Sequence, residues 1–238
     1  MKKVSLTVSG GGVRSAAGLG VLKYLEENNI EVTELSGNSG GAILLLLYSY
    51  GLSIEEIDNF LKNIDKVKLF LKPTFGSFFS LSGVEEQLRE TLKDRKRKIP
   101  LTVVTTNVET MIGVYHTEGD LIKETIASSS VYGLFPFVEL NGEKHVDGLY
   151  ADNLPNKFLV KKKIKNISVN VNNPTLNQKL SRRLYKIKEL SCIETASNDA
   201  DIYLNITDVA DVKLLDLAKF DFCIDSGYKK AEEGIKIK

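Results

Sequence analysis

From Lys3 to Val8 polar and apolar side chains alternate with the period of a half-buried strand, and Gly10, Gly11 and Gly12 then break the pattern. Over Ser15 to Glu27 the apolar residues Leu19, Leu22 and Leu25 recur at helical spacing. A second strand, at about Val32 to Ser36, leads into the Gly37 to Gly41 corner, and an unbroken apolar run from Ala42 to Tyr48 follows, which reads as a buried helix. Two strand–glycine–helix units in succession predict parallel strands joined by crossovers, with both glycine corners at the carboxyl edge of one sheet.

Beyond the second unit, Ser53 with Glu56 and Ser82 with Glu85 have capping-box spacing, predicting helices through about Asn63 and Lys93. Between them, Val67 to Leu81 hold four phenylalanines, a proline and a glycine, poor helix chemistry that suits either an apolar flap or a core-filling loop. A strand at Leu101 to Thr106 is expected to pair with Gly113 to His116, and Asp120 to Ser129 read as helix. Asn141-Gly142 joins Phe137–Leu140 to Glu143–Val146, a strong hairpin signal that ends at Asp147. A strand at Ile167 to Val171, a basic helix near Gln178 to Leu190, a strand at Ile202 to Ile206 and a helix near Ser226 to Gly234 complete the pattern. With no internal repeat, the 238 residues are expected to form one α/β domain over 1–238.

A 42% apolar and 26% charged composition is that of a globular chain with a sizeable core, not of a disordered or fibrous one. The net charge of +1 excludes a global pull toward nucleic acid and leaves three local basic stretches, residues 93–98, 157–165 and 179–188. Each reads as a solvated face or as an attraction to an anionic membrane surface. Cys192 and Cys223 match no metal or redox spacing, so a reducing, cytoplasmic setting is expected, peripheral to membrane at most. The N-terminus lacks a signal-peptide pattern, and the apolar run falls short of the roughly 20 residues that span a bilayer.

Gly37-Asn38-Ser39-Gly40-Gly41 fits G-x-S-x-G, in which a strand turns sharply into a helix and presents a serine hydroxyl above the sheet edge. Glycine-rich corners of this kind also bind phosphate through backbone amides, so the five residues alone leave nucleophile and turn both open. A nucleophilic serine needs a base, and the chain has two histidines, His116 and His145, both upstream of Asp147. One scheme therefore pairs His116 with Glu109. The other assigns Asp147, at the end of a strand and before Gly148, whose carboxylate would need burial to strengthen it as a base; an Asp-Gly turn is the plainer reading of that dipeptide. Gly10, Gly11 and Gly12 expose consecutive amides suited to an oxyanion hole. A dinucleotide fingerprint would require glycine where Ser15 stands, and no phosphate-loop lysine motif exists in the chain.

Taken in order, GGGVR at 10–14, GNSGG at 37–41, SSSVYGLFPFV at 128–138 and VDG at 146–148 resemble the patatin-like phospholipase family, over about residues 4–155. The resemblance implies a three-layer α/β/α fold with a mostly parallel central sheet. It also implies a histidine-free Ser39–Asp147 dyad, an oxyanion hole on Gly10 to Gly12 and Arg14 bracing that loop or facing a headgroup. The implied activity is a serine ester hydrolase of phospholipase A or lipid acyl hydrolase type, with no cofactor or metal in the chemistry. A lipid or phospholipid substrate is the expected partner, with transient membrane-surface contact and no nucleic acid. A thioesterase or amidase acting on soluble acyl substrates, or a non-catalytic lipid-binding module, would use the same site. Three positions depart from the family pattern: Ser15 where glycine is usual, Gly40 where alanine is common, and Leu149 where a small residue ends the D-G motif. Ser15 is expected to cap the following helix, Gly40 to loosen the start of the next, and Leu149 to add bulk beside the base.

Overall fold

The computed structural model describes residues 2–64, 79–160, 163–172 and 180–236, with the backbone alone for 180–189. Among them, eight strands form one mixed sheet: β1 (Lys2–Val8), β2 (Ile30–Gly37), β3 (Leu101–Asn107), β4 (Gly113–His116), β5 (Val138–Leu140), β6 (Glu143–Asp147), β7 (Lys165–Asn170) and β8 (Ile202–Asn205). Hydrogen-bonded neighbours run β5-β6-β3-β2-β1-β7-β8, with β4 also on β3. The pairings β1–β2, β1–β7, β2–β3 and β7–β8 are parallel, as the crossover pattern predicts; β3–β4, β3–β6 and β5–β6 are antiparallel.

The centre of the sheet decides where the site lies. Val103 pairs with both Gly37 of β2 and His116 of β4, and Thr105 pairs with both Val114 of β4 and Asp147 of β6. A strand has two flanks, so β4 takes one while β2 and β6 share the other, end to end. The corner after Gly37 is thereby set against the end of β6. On the far side of β2, Val8 of β1 is level with Gly37, which brings the Gly10 to Gly12 loop beside the same corner.

Helices α1 (Ala17–Glu27), α2 (Ser39–Ser49), α3 (Ile54–Lys62), α4 (Ser82–Leu92), α5 (Leu121–Ser128) and α7 (Phe220–Gly234) accompany the sheet. α1 packs along α7, and α2 against α5. The apolar face of β1, Val4, Leu6 and Val8, is wholly buried in this core with Leu19, Leu44 and Leu46. The opposite face is buried but polar: Asn166 donates to Ser5 and Thr7, and Asn156, which also donates to the Ala196 carbonyl of α6 (Leu180–Asp199), reaches Ser168. The second face is thus covered by the chain after β6 and by α6, giving the expected three layers.

Local signals resolve individually. Ser53 and Glu56 form the predicted capping box, and Asn141 and Gly142 both have positive φ (52° and 84°), as a tight hairpin demands. Ser82 does not cap its helix: it is the first helical residue, and its N–H is taken by Ser80 Oγ. α1 is preceded by a 3-10 turn, Gly12–Ala16, while α6 runs nine residues past the expected Leu190 and α7 starts six before Ser226. In the first basic stretch Lys93, Arg95 and Arg97 are tied to Glu90, Glu56 and Glu118. No described helix is long and apolar enough to cross a membrane.

Candidate active site

β2 ends at Gly37, Asn38 stays extended (φ −126°, ψ 145°), and Ser39 opens α2 with φ 51°. A serine in the left-handed region is strained and persists only where its surroundings hold it. Here Ser39 N–H is donated to Ser128 Oγ at 2.9 Å, and α2 crosses the end of β1 so closely that a methyl group on Gly41 would lie 2.5 Å from the Val8 carbonyl oxygen. The five-residue motif therefore forms the sharp strand-to-helix corner its spacing predicts.

Asp147 is fully buried. Its backbone is fixed by N–H donation to the Ser130 carbonyl (3.0 Å) and by Thr106 Oγ1–H on its own carbonyl (2.9 Å). Its carboxylate Oδ1 accepts the Leu149 N–H at 2.8 Å and Asn38 Nδ2–H at 3.0 Å. Gly148 permits this approach, since a methyl there would lie 2.5 Å from Asn38 Oδ1 and 2.6 Å from the Val104 carbonyl. The residue preceding Ser39 is thus a hydrogen-bond partner of Asp147, across 109 positions of sequence.

The glycine loop closes on the same point: a methyl on Gly10 would lie 3.1 Å from Ser39 Cβ. Gly10 donates its N–H to the Asn153 carbonyl (3.2 Å), and its own carbonyl accepts Asn172 Nδ2–H (2.6 Å). Its amide is engaged, which leaves Gly11 and Gly12 as the loop's candidate oxyanion donors. Arg14 folds back on this loop, donating from Nε to the Gly11 carbonyl (3.2 Å) and from an NH1 proton to the Ala210 carbonyl (3.3 Å).

Gly12, Ser39 and Gly40 wall a cavity of about 110 Å³ whose other lining is almost wholly apolar, including Ile43, Leu44, Leu61, Val84, Phe135 and Leu215. Leu44 is the member of the Leu44 to Leu47 run that lines it. Of the aromatic segment, Phe79 packs its ring 6.0 Å from that of Phe135 and Leu81 reaches the cavity; Phe70, Phe75 and Phe78 lie outside the described residues.

The two histidines belong to another cluster. The buried Thr105 hydroxyl lies 2.8 Å from both His116 Nε2 and His145 Nδ1, within hydrogen-bonding distance of each ring. The carboxylate beside His116 is Glu124 of α5, 3.4 Å away, while Glu109 sits exposed on the turn after β3, so the Glu109–His116 pairing does not form. Burial holds the His145 imidazole below its ordinary pKa, and His116 adds repulsion.

The departures from the family pattern also take physical form. Ser15 does not cap a helix; its hydroxyl donates to the Ser9 carbonyl at 3.0 Å. A methyl on Gly40 would lie 3.1 Å from Ser15 Oγ and 2.5 Å from the Gly12 carbonyl, so Gly40 makes room for the loop and for Ser15 rather than merely loosening α2. Leu149 contributes its backbone N–H to Asp147. Sequence reasoning missed Asn38, Ser128 and Asn153, the buried polar residues that join corner, carboxylate and loop.

The family model for patatin-like phospholipase matches residues 6–160. Patatin-like phospholipase domain-containing protein 7 of Rattus norvegicus is 30% identical over 164 residues, 64% of this chain and 12% of its own length. Lysophospholipase NTE1 of Candida glabrata is 29% identical over 181 residues, again 64% of this chain and 9% of its own. The chain thus spans about a tenth of the length of these curated relatives. Among solved structures, VipD from Legionella pneumophila aligns with a TM-score of 0.57 at 15% identity, over 98% of this chain and 66% of that one, a likeness of fold.

Proposed function

The chain belongs to the patatin-like phospholipase family, and from that premise we propose that it is a lipid acyl hydrolase working through Ser39 and Asp147. Ser39 Oγ attacks the ester carbonyl as its proton passes to the Asp147 carboxylate. The Gly11 and Gly12 amides meet the negative oxygen of the tetrahedral intermediate, at the positive end of α2. As the intermediate collapses, the carbon–oxygen ester bond breaks and the departing alcohol takes the proton from Asp147, leaving an acyl-serine. Water, deprotonated in turn by Asp147, attacks that ester; the fatty acid leaves and Ser39 regains its proton.

One observation carries this reading: a strained serine faces an apolar cavity while the residue before it is hydrogen-bonded to a fully buried carboxylate. The cavity fits a hydrocarbon chain, with the polar part of the substrate at the Ser39 end. Arg14, which supports the glycine loop, serves as a positioning residue. Incubating the protein and Ser39→Ala with mixed phospholipids, identifying released fatty acids and labelling with a fluorophosphonate tests it. Fatty acid release and labelling by the unaltered protein alone are expected. A folded protein that neither labels nor releases acid would overturn it in favour of a binding module, and release confined to soluble thioesters or amides would overturn the lipid assignment.

A further inference from the structure

We propose that Asn38, oriented by Ser128, is a positioning residue that sets the carboxylate of Asp147 relative to the serine corner. The inference rests on the dyad reading above and adds what holds the two groups in register. All three side chains are buried, Asn38, Ser128 and Asp147 each being inaccessible to solvent, so the hydrogen bonds among them are not exchanged with water.

The directions of these bonds follow from proton counting. Ser39 N–H can only donate, so Ser128 Oγ accepts it and must spend its single proton elsewhere. That proton goes to Asn38 Oδ1 at 3.0 Å. The amide of Asn38 is then fixed with its Nδ2 protons pointing the other way, one to Asp147 Oδ1 (3.0 Å) and one to Asn153 Oδ1 (2.8 Å). The opposite amide orientation would set oxygen against oxygen at the Asp147 carboxylate, which can only accept. A relay therefore runs from the backbone of Ser39, through Ser128 and Asn38, to the carboxylate, while Asn153 carries it on to the Gly10 amide through its own carbonyl. The Leu149 N–H is the second donor on Asp147 Oδ1, and two donors on one oxygen fix the plane of the carboxylate. Because one of them comes from the residue preceding Ser39, a movement of the corner carries the carboxylate with it.

The test uses Asn38→Asp, Asn38→Ala and Ser128→Ala in the full chain, with ester turnover, fluorophosphonate labelling and thermal melting. At pH 8 Asn38→Asp keeps the shape but loses the donated protons and sets a second carboxylate against the first. A kcat loss of about 100-fold is expected, the cost of a misplaced reacting group, with KM within about threefold because the apolar cavity is untouched. As pH falls, the paired carboxylates take up one shared proton, which restores a donor at position 38. The variant's kcat relative to the unaltered protein should therefore recover toward acid. Tyr150 and His145, the titratable neighbours on the following turn and the same strand, are common to both proteins and leave that ratio alone. Ser128→Ala and Asn38→Ala should lose kcat with no acid recovery. Variants that match the unaltered protein, a ratio that is flat in pH, or loss confined to KM would overturn the inference; so would failure of both Asn38→Asp and Ser128→Ala to fold, which would make the contacts a requirement of folding only. An unaltered protein that takes no label sinks the dyad itself, whereas labelling with unaffected variants sinks this relay alone.

Discussion

Gly40→Ala probes the packing between the serine corner and the glycine loop. The added methyl would stand 2.5 Å from the Gly12 carbonyl oxygen and 3.1 Å from Ser15 Oγ, so restoring ordinary contact requires a retreat of roughly 0.5–0.9 Å. The loop resists, because Gly10 is held through both its N–H and its carbonyl and Arg14 is clasped to Gly11. Overpacking of this kind costs about 1–3 kcal/mol, and replacing a helical glycine returns about 1 kcal/mol, for a net loss of about 0–2 kcal/mol. At about 2–4 °C per kcal/mol, Tm falls by no more than about 8 °C. Activity is more exposed than stability: displacing the oxyanion donors by most of an ångström lowers kcat by about 10- to 100-fold. Adding Ser15→Gly removes the 3.1 Å contact but not the closer one, so recovery is partial. The assay is fluorophosphonate labelling rate and ester turnover alongside thermal melting. Unchanged rates and Tm in Gly40→Ala would refute the argument that Ser15 and Gly40 are two halves of one exchange of volume.

Asp147→Asn should lower turnover by about 10²- to 10⁴-fold, the ordinary worth of a general base, whereas His116→Ala and His145→Ala stay within about tenfold; equal losses in all three would restore a histidine scheme. Since burial holds the His145 pKa below its ordinary 6.5, the unfolded chain binds a proton at this ring before the folded one does. Melting temperature should therefore be steady above pH 6.5 and fall as the pH drops below it, and His145→Asn should flatten that first decline in a pH series. Gly227→Ala sets a methyl into the Ala17 carbonyl where α7 lies on α1, and should cost about 1–3 kcal/mol in chemical denaturation without touching labelling chemistry.

Much of this was legible along the chain because it is written in short-range chemistry. Asn141-Gly142 needs two positive φ values, Ser53 and Glu56 close a box within one turn, and the glycines around Ser39 are demanded by a corner whose neighbours they must clear. What stayed hidden depends on distant partners. Ser82 enters α4 as its first helical residue, with Leu81 in the cap position and Ser80 Oγ accepting the Ser82 N–H, and Ser15 serves the Ser9 carbonyl rather than a helix end. Asn38, Ser128 and Asn153 look like turn formers in sequence. Their burial, and hence the cost of leaving any of their protons unmatched, exists only once β6 abuts β2. The triple serine at 128–130, closing an otherwise amphipathic helix, was the one local hint.

Strand β3 supplies no reacting atom, yet it is the ruler of the reaction. Ser39 follows a strand measured against Val103, and Asp147 ends one measured against Thr105; the two strands lie in line along β3 rather than side by side. A slip of one residue in either measurement would displace a functional group by about 3.3 Å and turn it to the wrong face of the sheet. Accuracy at the reacting atoms is therefore kept by a third party, and substitutions that unsettle the Val103 to Thr105 stretch should blunt chemistry although Ser39 and Asp147 themselves are unsubstituted.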